Sequence, residues 1–341
     1  MAEPNRMSKY ERSIEDEGWV SSIYGLGIQV NAPLSGGIPV GKKSDVEIDV
    51  AIELGPFPDW LGQTLQSGSR QSQYQCEYQN KDGTPIYVLD ELDGEFFHLQ
   101  YERIEFVLTR QGDFIWGQWS EPLTWDDASL FVLGPVLGLA LRLRGSLCLH
   151  SSSIAITDKA FAIIGPSGAG KSTTAAALLE RGYCLLGDDI LPLHFSEAGI
   201  FAIPGYPRLR LWPTSVEALK TRSLADCPPL SSNHTKRAQD IISTQFISEP
   251  MPLKAIYVLD WASKAEKPYI EPLDKLPGWQ ALCSNIYRPE WQNATQRQQE
   301  FLLMGNLLKQ VPLRHLRGYR VLDRLEELCE TIVADFKMLE M

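Results

Sequence analysis

The 341-residue sequence has few cysteines, and none of them stands in a Cys-x-x-Cys pair. The six cysteines are spread along the chain, and several lie within apolar runs. This distribution is typical of reduced cysteines in a protein core, and it argues against a disulfide framework or a zinc site. We therefore expect a cytoplasmic protein.

Long hydrophobic runs are also missing. Every apolar stretch of the sequence is broken by Arg or Gly before it reaches the length of a membrane span. Residues 1–19 are polar and charged and have no apolar segment of the kind found in signal peptides. We therefore expect neither a secretory signal nor a membrane partner.

Positively charged residues are fewer than negatively charged ones. The sequence has 32 Lys and Arg residues and 43 Asp and Glu residues, which gives a formal net charge of −11. This balance argues against nucleic acid as a principal partner. The hydrophobic content of 44% and the aromatic content of 10% are those of a folded globular protein. The length is sufficient for one large domain or two ordinary ones.

What the sequence does contain is a glycine-rich motif, Gly165-x-x-x-x-Gly170-Lys171-Ser172. It lies between an apolar run at 161–164 and a segment of helix-forming composition at 173–180, which is the context that a P-loop requires. Glycines let backbone N–H groups surround a phosphate, the lysine reaches the β- and γ-phosphates, and the serine hydroxyl ligates Mg²⁺. The residues expected to hold the nucleotide are Gly165, Ser167, Gly168, Ala169, Gly170, Lys171, Ser172 and Thr173. The predicted cofactors are ATP and Mg²⁺.

Two carboxylates, Asp188 and Asp189, follow a second apolar run shortly after the motif, and His150 ends another apolar run shortly before it. We expect Ser172 and Asp189 to hold Mg²⁺ and Asp188 to accept the proton of a substrate hydroxyl. A metal ion on one carboxylate would let both stay ionised. The plainer interpretations are a strand-to-loop turn for the aspartates and a core histidine for His150.

The segments 149–153, 165–174 and 181–189, taken in this order and spacing, resemble the catalytic domain of HPr kinase/phosphorylase. They are similar still more closely to HPr-kinase-like serine kinases, some of which accompany lasso-peptide gene clusters and phosphorylate the precursor peptide. The resemblance covers residues 130–260. It implies an α/β P-loop kinase core of the HPr kinase/phosphoenolpyruvate carboxykinase type, in which His150 would lie beside Asp188 and bias its charge and position.

The resemblance also implies a Pro-Arg segment beside the active site. Here that segment carries Arg208 and Arg210, which would share one face of a strand, and Arg288 is a further candidate contact for phosphate or substrate. Full-length HPr kinase/phosphorylases have a Glu-x-Arg signature in this region, and we find no such glutamate here. The reverse phosphorylase reaction is therefore not carried over from the resemblance.

Between residues 20 and 120, short runs of alternating apolar and polar residues are separated by turn sequences such as Asp93-Gly94. This pattern predicts a mostly β accessory domain. Residues 126–143 predict a buried helix, interrupted at Gly134-Pro135. Residues 214–248 are polar and predict a mostly irregular segment. We accordingly expect a β-rich accessory domain at 1–125 and a P-loop catalytic domain at 126–341.

The function predicted from the sequence is ATP-dependent phosphoryl transfer to a serine hydroxyl of a peptide or small protein. One alternative is a nucleotide-binding regulatory module with little or no transferase activity. Another is a carboxykinase-like metabolic enzyme, which would call for further basic and metal-ligating residues before the P-loop. HPr kinase/phosphorylase is a hexamer, so a homo-oligomer is a further partner that the resemblance implies.

Overall fold

The structure of the protein is a computed structural model that describes residues 18–36, 46–80, 82–219, 223–231, 234–261, 267–288, 294–318 and 324–339. The chain divides into two compact units. Among the described residues, those up to Gly145 together with Arg288 and residues 294–295 belong to the first unit. Those from Ser146 to Tyr287 and from Gln296 onwards belong to the second unit. The mixed α/β architecture with a β-rich N-terminal region confirms the coarse fold that the sequence predicted.

The N-terminal unit is built on an eight-stranded sheet. Its strands are β1 (Trp19–Ile23), β2 (Leu26–Val30), β3 (Val50–Leu54), β4 (Arg70–Gln75), β5 (Tyr87–Leu92), β6 (Phe96–Tyr101), β7 (Ile104–Thr109) and β8 (Phe114–Trp119). Their order across the sheet is β1-β2-β3-β8-β7-β6-β5-β4. Strand β3 is parallel to both of its neighbours, and the other adjacent pairs are antiparallel.

Helix α1 (Asp59–Ser67) belongs to the same unit, and its Leu61 is fully buried in a cluster with Val107 and Trp116. After β8 the chain forms α2 (Trp125–Phe131), a π-helical segment (Val132–Val136) and α3 (Leu137–Leu143). The break in regular helix falls at Gly134, beside Pro135, as the sequence predicted.

The division between the units falls after Gly145, so α2 and α3 belong with the N-terminal sheet. The sequence-based boundary at 125/126 placed these helices in the C-terminal domain instead. Two contacts account for the difference: the Tyr24 hydroxyl donates to the carbonyl oxygen of Leu133 at 3.0 Å, and Gly112 lies directly against Ala140. An apolar helical pattern indicates burial, but it does not indicate which core the helix joins.

The C-terminal unit contains the other strands that the structure describes. They are β9 (Leu147–Leu149), β10 (Ser152–Ile156), β11 (Lys159–Ile164), β12 (Cys184–Asp188), β13 (Leu191–Ser196), β14 (Gly199–Ala202), β15 (Arg208–Leu211), β16 (Arg237–Asp240), β17 (Met251–Asp260), β18 (Tyr269–Pro272) and β19 (Leu313–Arg317). The central order is β12-β10-β11-β17. The later part of β17 pairs in parallel with β19, and β19 pairs antiparallel with β18. The start of β17 pairs antiparallel with β14, and β15 and β16 form a separate antiparallel ribbon.

Helices cover both faces of this central sheet. The described helices are α4 (Lys171–Glu180), α5 (Pro213–Ala218), α6 (Lys275–Cys283), α7 (Ala294–Gln310) and α8 (Leu325–Met338). Alternate residues of β11 point to opposite faces of the sheet. Phe161 packs in the hydrophobic core on the side of α4 and α8, and Ile164 packs in the core on the side of α6 and α7. A strand that is buried on both faces has apolar residues at successive positions of its sequence, and this explains the apolar run before the glycine-rich motif. Within the part of the chain that the structure describes, every helix is too short or too polar to cross a membrane.

Candidate active site

The glycine-rich loop connects the buried strand β11 to helix α4, as the sequence predicted for its two flanks. All three glycines of the loop have backbone angles that other residues rarely adopt: φ is +151° at Gly165, +75° at Gly168 and +98° at Gly170, immediately before the helix. A Cβ atom on Gly165 would also lie only 3.1 Å from the carbonyl oxygen of Leu259 in β17. The loop lines a cavity of about 530 Å³.

Lys171, the first residue of α4, folds back over the loop. Its Nζ atom donates to the carbonyl oxygens of Gly165 at 2.9 Å and Pro166 at 3.4 Å. Burial lowers the pKa of this ammonium, and the nearby carboxylates of Asp188 and Asp189 oppose that effect. The lysine is thus held at the cavity wall with its charge directed along the loop.

Asp188, the last residue of β12, accepts three hydrogen bonds. The hydroxyls of Ser152 and Ser172 donate to its Oδ1 atom at 2.6 and 2.9 Å, and the backbone N–H of Arg210 donates to Oδ2 at 3.1 Å. The side chain is only 5% exposed. The carboxylate beside Ser172 is therefore Asp188, whereas the sequence analysis paired Ser172 with Asp189.

Asp189 faces different partners because its backbone turns sharply, with φ at +79°. Its Oδ2 atom lies 3.1 Å from Arg210 Nη1, and its Oδ1 atom lies 3.3 Å from Nδ1 of His150. The structure thus shows His150 in contact with Asp189, whereas the sequence analysis expected it beside Asp188; successive residues at a strand end point in different directions. Burial alone would raise the pKa of Asp189, but the Arg210 charge and the hydrogen bond from His150 outweigh it and hold that pKa well below its usual range.

The tautomer of His150 follows from its contacts. Nδ1 lies 3.1 Å from the carbonyl oxygen of Asp189 as well as near the carboxylate, and both of these oxygens only accept. Nδ1 therefore carries the proton. His150 lines the cavity, and in the neutral ring its other nitrogen, Nε2, is an acceptor.

The three arginines predicted as phosphate or substrate contacts lie in different places in the structure, and only one of them lines the cavity. Arg210 lines the cavity, and its Nε and Nη2 atoms donate to the Tyr206 hydroxyl at 3.1 and 2.7 Å. Arg208 instead pairs with Asp240 at 2.6 Å, and Arg288 belongs to the N-terminal unit, 5.7 Å from the ring of Tyr87. Neither of these two is among the described residues that line the cavity.

Several site residues escaped the sequence analysis, and Asn285 is the most informative. Its Oδ1 atom accepts from the backbone N–H of Gly165 at 2.9 Å, and its carbonyl oxygen accepts from the N–H of His150 at 2.7 Å. It thereby joins the glycine-rich loop to the histidine. No local pattern marks it, because Asn285 follows α6 and is remote from both partners in the chain.

The metal ligands expected here are oxygen atoms. Among the described residues, no group of three or more His, Cys, Asp or Glu side chains is placed to hold a metal ion. Mg²⁺ commonly takes one or two protein oxygens and completes its coordination with water and substrate phosphates. The hydroxyl of Ser172 and the carboxylate of Asp188 are a pair of this kind, 2.9 Å apart.

Comparison with known proteins gives a limited result. No model of a protein family matches the sequence, and no curated protein matches it. Among solved structures, the HPr(Ser) kinase/phosphatase from Coxiella burnetii is similar at 12% sequence identity, and the match covers 57% of this chain and 99% of that chain. The TM-score of this match is 0.31.

Proposed function

We propose that the protein is an ATP-dependent kinase that transfers a phosphoryl group to a serine hydroxyl of a peptide or small protein. The observation that carries the proposal is the contact between Ser172 and Asp188 at the start of α4, with a second carboxylate, Asp189, in the same cavity. A hydroxyl bonded to a strand-end carboxylate is the arrangement that holds Mg²⁺ in P-loop nucleotide-binding proteins.

The loop from Gly165 to Ser172 supplies the phosphate site. Its backbone N–H groups and the N-terminus of α4 favour a bound anion. In this proposal Lys171 exchanges the carbonyl oxygens that it now contacts for phosphate oxygens. Ser172 and Asp188 hold Mg²⁺, which when bound neutralises charge on the phosphates.

Asp189 is the better candidate for orienting the acceptor, in place of Asp188. Asp188 contacts the metal-binding serine and is therefore assigned to Mg²⁺ in this proposal, which leaves the other carboxylate of the cavity for the acceptor. Asp189 is less buried and faces the cavity with His150. The serine oxygen attacks the γ-phosphorus, the bond from that phosphorus to the bridging oxygen breaks, ADP leaves, and the hydroxyl proton passes to Asp189.

The low pKa of Asp189 makes it a weak base, and this is compatible with phosphoryl transfer. In the loose transition state of that reaction the nucleophile needs little deprotonation before attack, so positioning of the hydroxyl dominates. Arg210, which pairs with Asp189 and contacts Tyr206, places a fixed positive charge beside the transferred group.

One observation favours the alternative of a regulatory nucleotide-binding module. The carboxylate of Asp189 already pairs with Arg210 and His150, so a serine hydroxyl must share or displace one of them. If these contacts persist with nucleotide bound, the site holds ATP without transferring it.

The test measures phosphate transfer from Mg-ATP to serine-containing peptides by mass spectrometry, together with ATP binding by calorimetry. We expect phosphoserine with the wild type, a loss of about 10²–10⁴-fold in Asp189→Asn with ATP binding retained, and loss of Mg²⁺-dependent ATP binding in Asp188→Asn. Arg208→Gln is the control for Arg210→Gln, since both arginines lie on β15 and only Arg210 lines the cavity. ATP binding by the wild type without transfer to any peptide would leave the regulatory module as the function.

A further inference from the structure

We propose that the base of the bound nucleotide occupies the end of the cavity formed by Trp261, Pro268, Leu325 and Leu328, which we call the base subsite. This inference rests on the proposed nucleotide-binding function and deepens it. It assigns the cavity a direction, from the base subsite across the glycine-rich loop to Asp189.

The sheet order separates the two ends of the cavity. The loop follows β11, and β10 and β12 lie on one side of that strand while β17, β19 and β18 lie on the other. Asp188 and Asp189 come at the end of β12. Trp261 directly follows β17, and Pro268 directly precedes β18, so both lie on the opposite side of the loop.

The chemistry of the two ends differs in the same way. The end beside β12 carries His150, both aspartates, Arg210 and Lys236, which are groups suited to phosphate, metal and acceptor. Trp212 also lines this end, but Lys236 Nζ lies over its ring at 5.5 Å from the ring centroid. At the base subsite an indole, a proline ring and two leucines line the wall, with Arg324 as the charged side chain next to them. A flat and largely apolar ligand group fits such a wall, and a nucleobase is the flat part of a nucleoside triphosphate.

Trp261 is also tied to the phosphate site. Its indole Nε1–H donates a hydrogen bond to the carbonyl oxygen of Ala169 within the glycine-rich loop. This contact fixes one edge of the ring against the loop. A base stacked on the indole would therefore lie one sugar away from phosphates held by the loop.

Gly318, which directly follows β19, preserves the shape of the base subsite. A Cβ atom at this glycine would lie 3.3 Å from Cα of Pro268 and 3.7 Å from Cζ3 of Trp261. The subsite thus draws on β17, the approach to β18, the end of β19 and the start of α8. Leu325 and Leu328 are supplied by that helix, and Leu328 is 4% exposed.

The experiment compares two probes, ATP and inorganic tripolyphosphate, each titrated with Mg²⁺ into the full chain by calorimetry. Tripolyphosphate fills the phosphate site and lacks the base, so the ratio of the two dissociation constants reports the base subsite. We expect ATP to bind the wild type about 10-fold more tightly or better, which is the range for stacking of one base on an aromatic side chain.

Variants separate stacking from positioning of the loop. Trp261→Phe keeps an aromatic ring but loses the hydrogen bond to Ala169, so both probes should weaken together and the ratio should persist. Trp261→Ala and Leu325→Ala should lower the ratio towards 1, and Leu325 makes no hydrogen bond to the loop that would disturb the phosphate site. Trp212→Ala is the matched control, since Trp212 lines the cavity after β15 and should leave the ratio unchanged.

Each outcome decides one of the two proposals. Equal affinities of the wild type for ATP and tripolyphosphate would overturn the base subsite while leaving the phosphate site intact. A ratio that falls in Trp212→Ala and not in Trp261→Ala would place the base at the other end. Failure of both probes to bind would overturn the proposed function, and the base subsite with it. Thermal unfolding of each variant shows that it is folded.

Discussion

At the scale of single residues, Asp188 and Asp189 show how neighbours in the chain acquire different chemistry. Asp188 ends a strand and points into a set of hydroxyl and amide donors, whereas Asp189 has left-handed backbone angles and points to Arg210 and His150. The sequence shows that two carboxylates arrive together. Which one faces the P-loop serine depends on the backbone angle of a single residue, and no sequence pattern specifies it.

The ion pair of Asp189 predicts a pH dependence of stability. Because the pKa of Asp189 is lowered in the folded protein, its ionised form stabilises the fold, fully above the unfolded pKa of about 4 and less as the pH falls through the lower folded value. We expect Asp189→Asn to lower the free energy of unfolding by roughly 3 kcal/mol at pH 7, since Arg210 is left without this partner. Urea denaturation between pH 7 and pH 3 should show this difference shrinking on acidification. Asp158→Asn, an exposed carboxylate, is the control, and a difference that grows below pH 4 would contradict the prediction.

Asn285 predicts a coupled loss of stability and nucleotide affinity. Asn285→Ala leaves the buried N–H of Gly165 without its acceptor, which costs about 1–3 kcal/mol. We expect weaker ATP binding in the same variant, because the first residue of the glycine-rich loop loses its anchor. Thermal unfolding and ATP titration measure the two effects. Asn306→Ala, an exposed asparagine on α7, should change neither, and normal ATP affinity in Asn285→Ala would exclude the positioning role.

At the scale of elements, strong local patterns were predictable. Residues 20–120 form a mostly β region, the Asp93-Gly94 turn joins β5 to β6 with positive φ at both residues, and β11 and α4 flank the glycine-rich loop. Helix α1 was missed, because its nine residues include a glycine and carry only one fully buried apolar anchor, Leu61. Within 214–248, read as mostly irregular, short α5 and β16 form through tertiary contacts that a polar sequence does not reveal.

Helix α8 is held against β17 and β19 by the buried carboxylate of Asp335. Asp335 accepts hydrogen bonds from the Tyr257 hydroxyl at 3.0 Å and from Arg314 Nε at 3.0 Å, and it is 4% exposed. Burial and this carboxylate raise the pKa of Tyr257, so the phenol remains protonated and donates. We expect Asp335→Ala to destabilise the protein by about 3 kcal/mol, because it leaves the partly buried Arg314 without its carboxylate partner. Denaturant unfolding measures this.

The same anchor controls the position of the base subsite. We therefore expect Asp335→Asn, if folded, to weaken ATP more than tripolyphosphate, because Leu325 and Leu328 move with α8. Tyr257→Phe should cost less, about 1.5–3 kcal/mol, since it removes one hydrogen bond to the carboxylate and leaves Arg314 in place. Lys337→Ala on the exposed side of α8 is the control. Equal stability of Asp335→Ala and wild type would show that the network does not hold the helix.

At the scale of the whole molecule, the site draws on residues from His150 to Leu328, and this explains the limit of sequence reasoning. The histidine, the glycine-rich loop and the aspartates lie close in sequence and were found as a set. Trp261 and the start of α8 line the same cavity, and Asn285 bonds to the loop that lines it, only because the fold brings distant segments together. Long-range placement of that kind is a property of the packed fold.

Two units with separate buried cores predict two responses to ligand. Leu61 is fully buried in the N-terminal core and Ile332 in the C-terminal core. Leu61→Ala and Ile332→Ala should therefore each lower the free energy of unfolding of one unit by about 2–5 kcal/mol, and with it the temperature of one unfolding transition.

A ligand stabilises only the state that binds it, and at 100 times its dissociation constant the gain in free energy of unfolding is about 2.7 kcal/mol. Because every described residue that lines the cavity belongs to the C-terminal unit, we expect Mg-ATP to raise the transition that Ile332→Ala lowers and to leave the other in place. Calorimetric unfolding of the full chain tests this. A single transition that both substitutions lower and ATP raises would mean that the two units unfold as one, and a rise confined to the transition lowered by Leu61→Ala would place the nucleotide in the N-terminal unit.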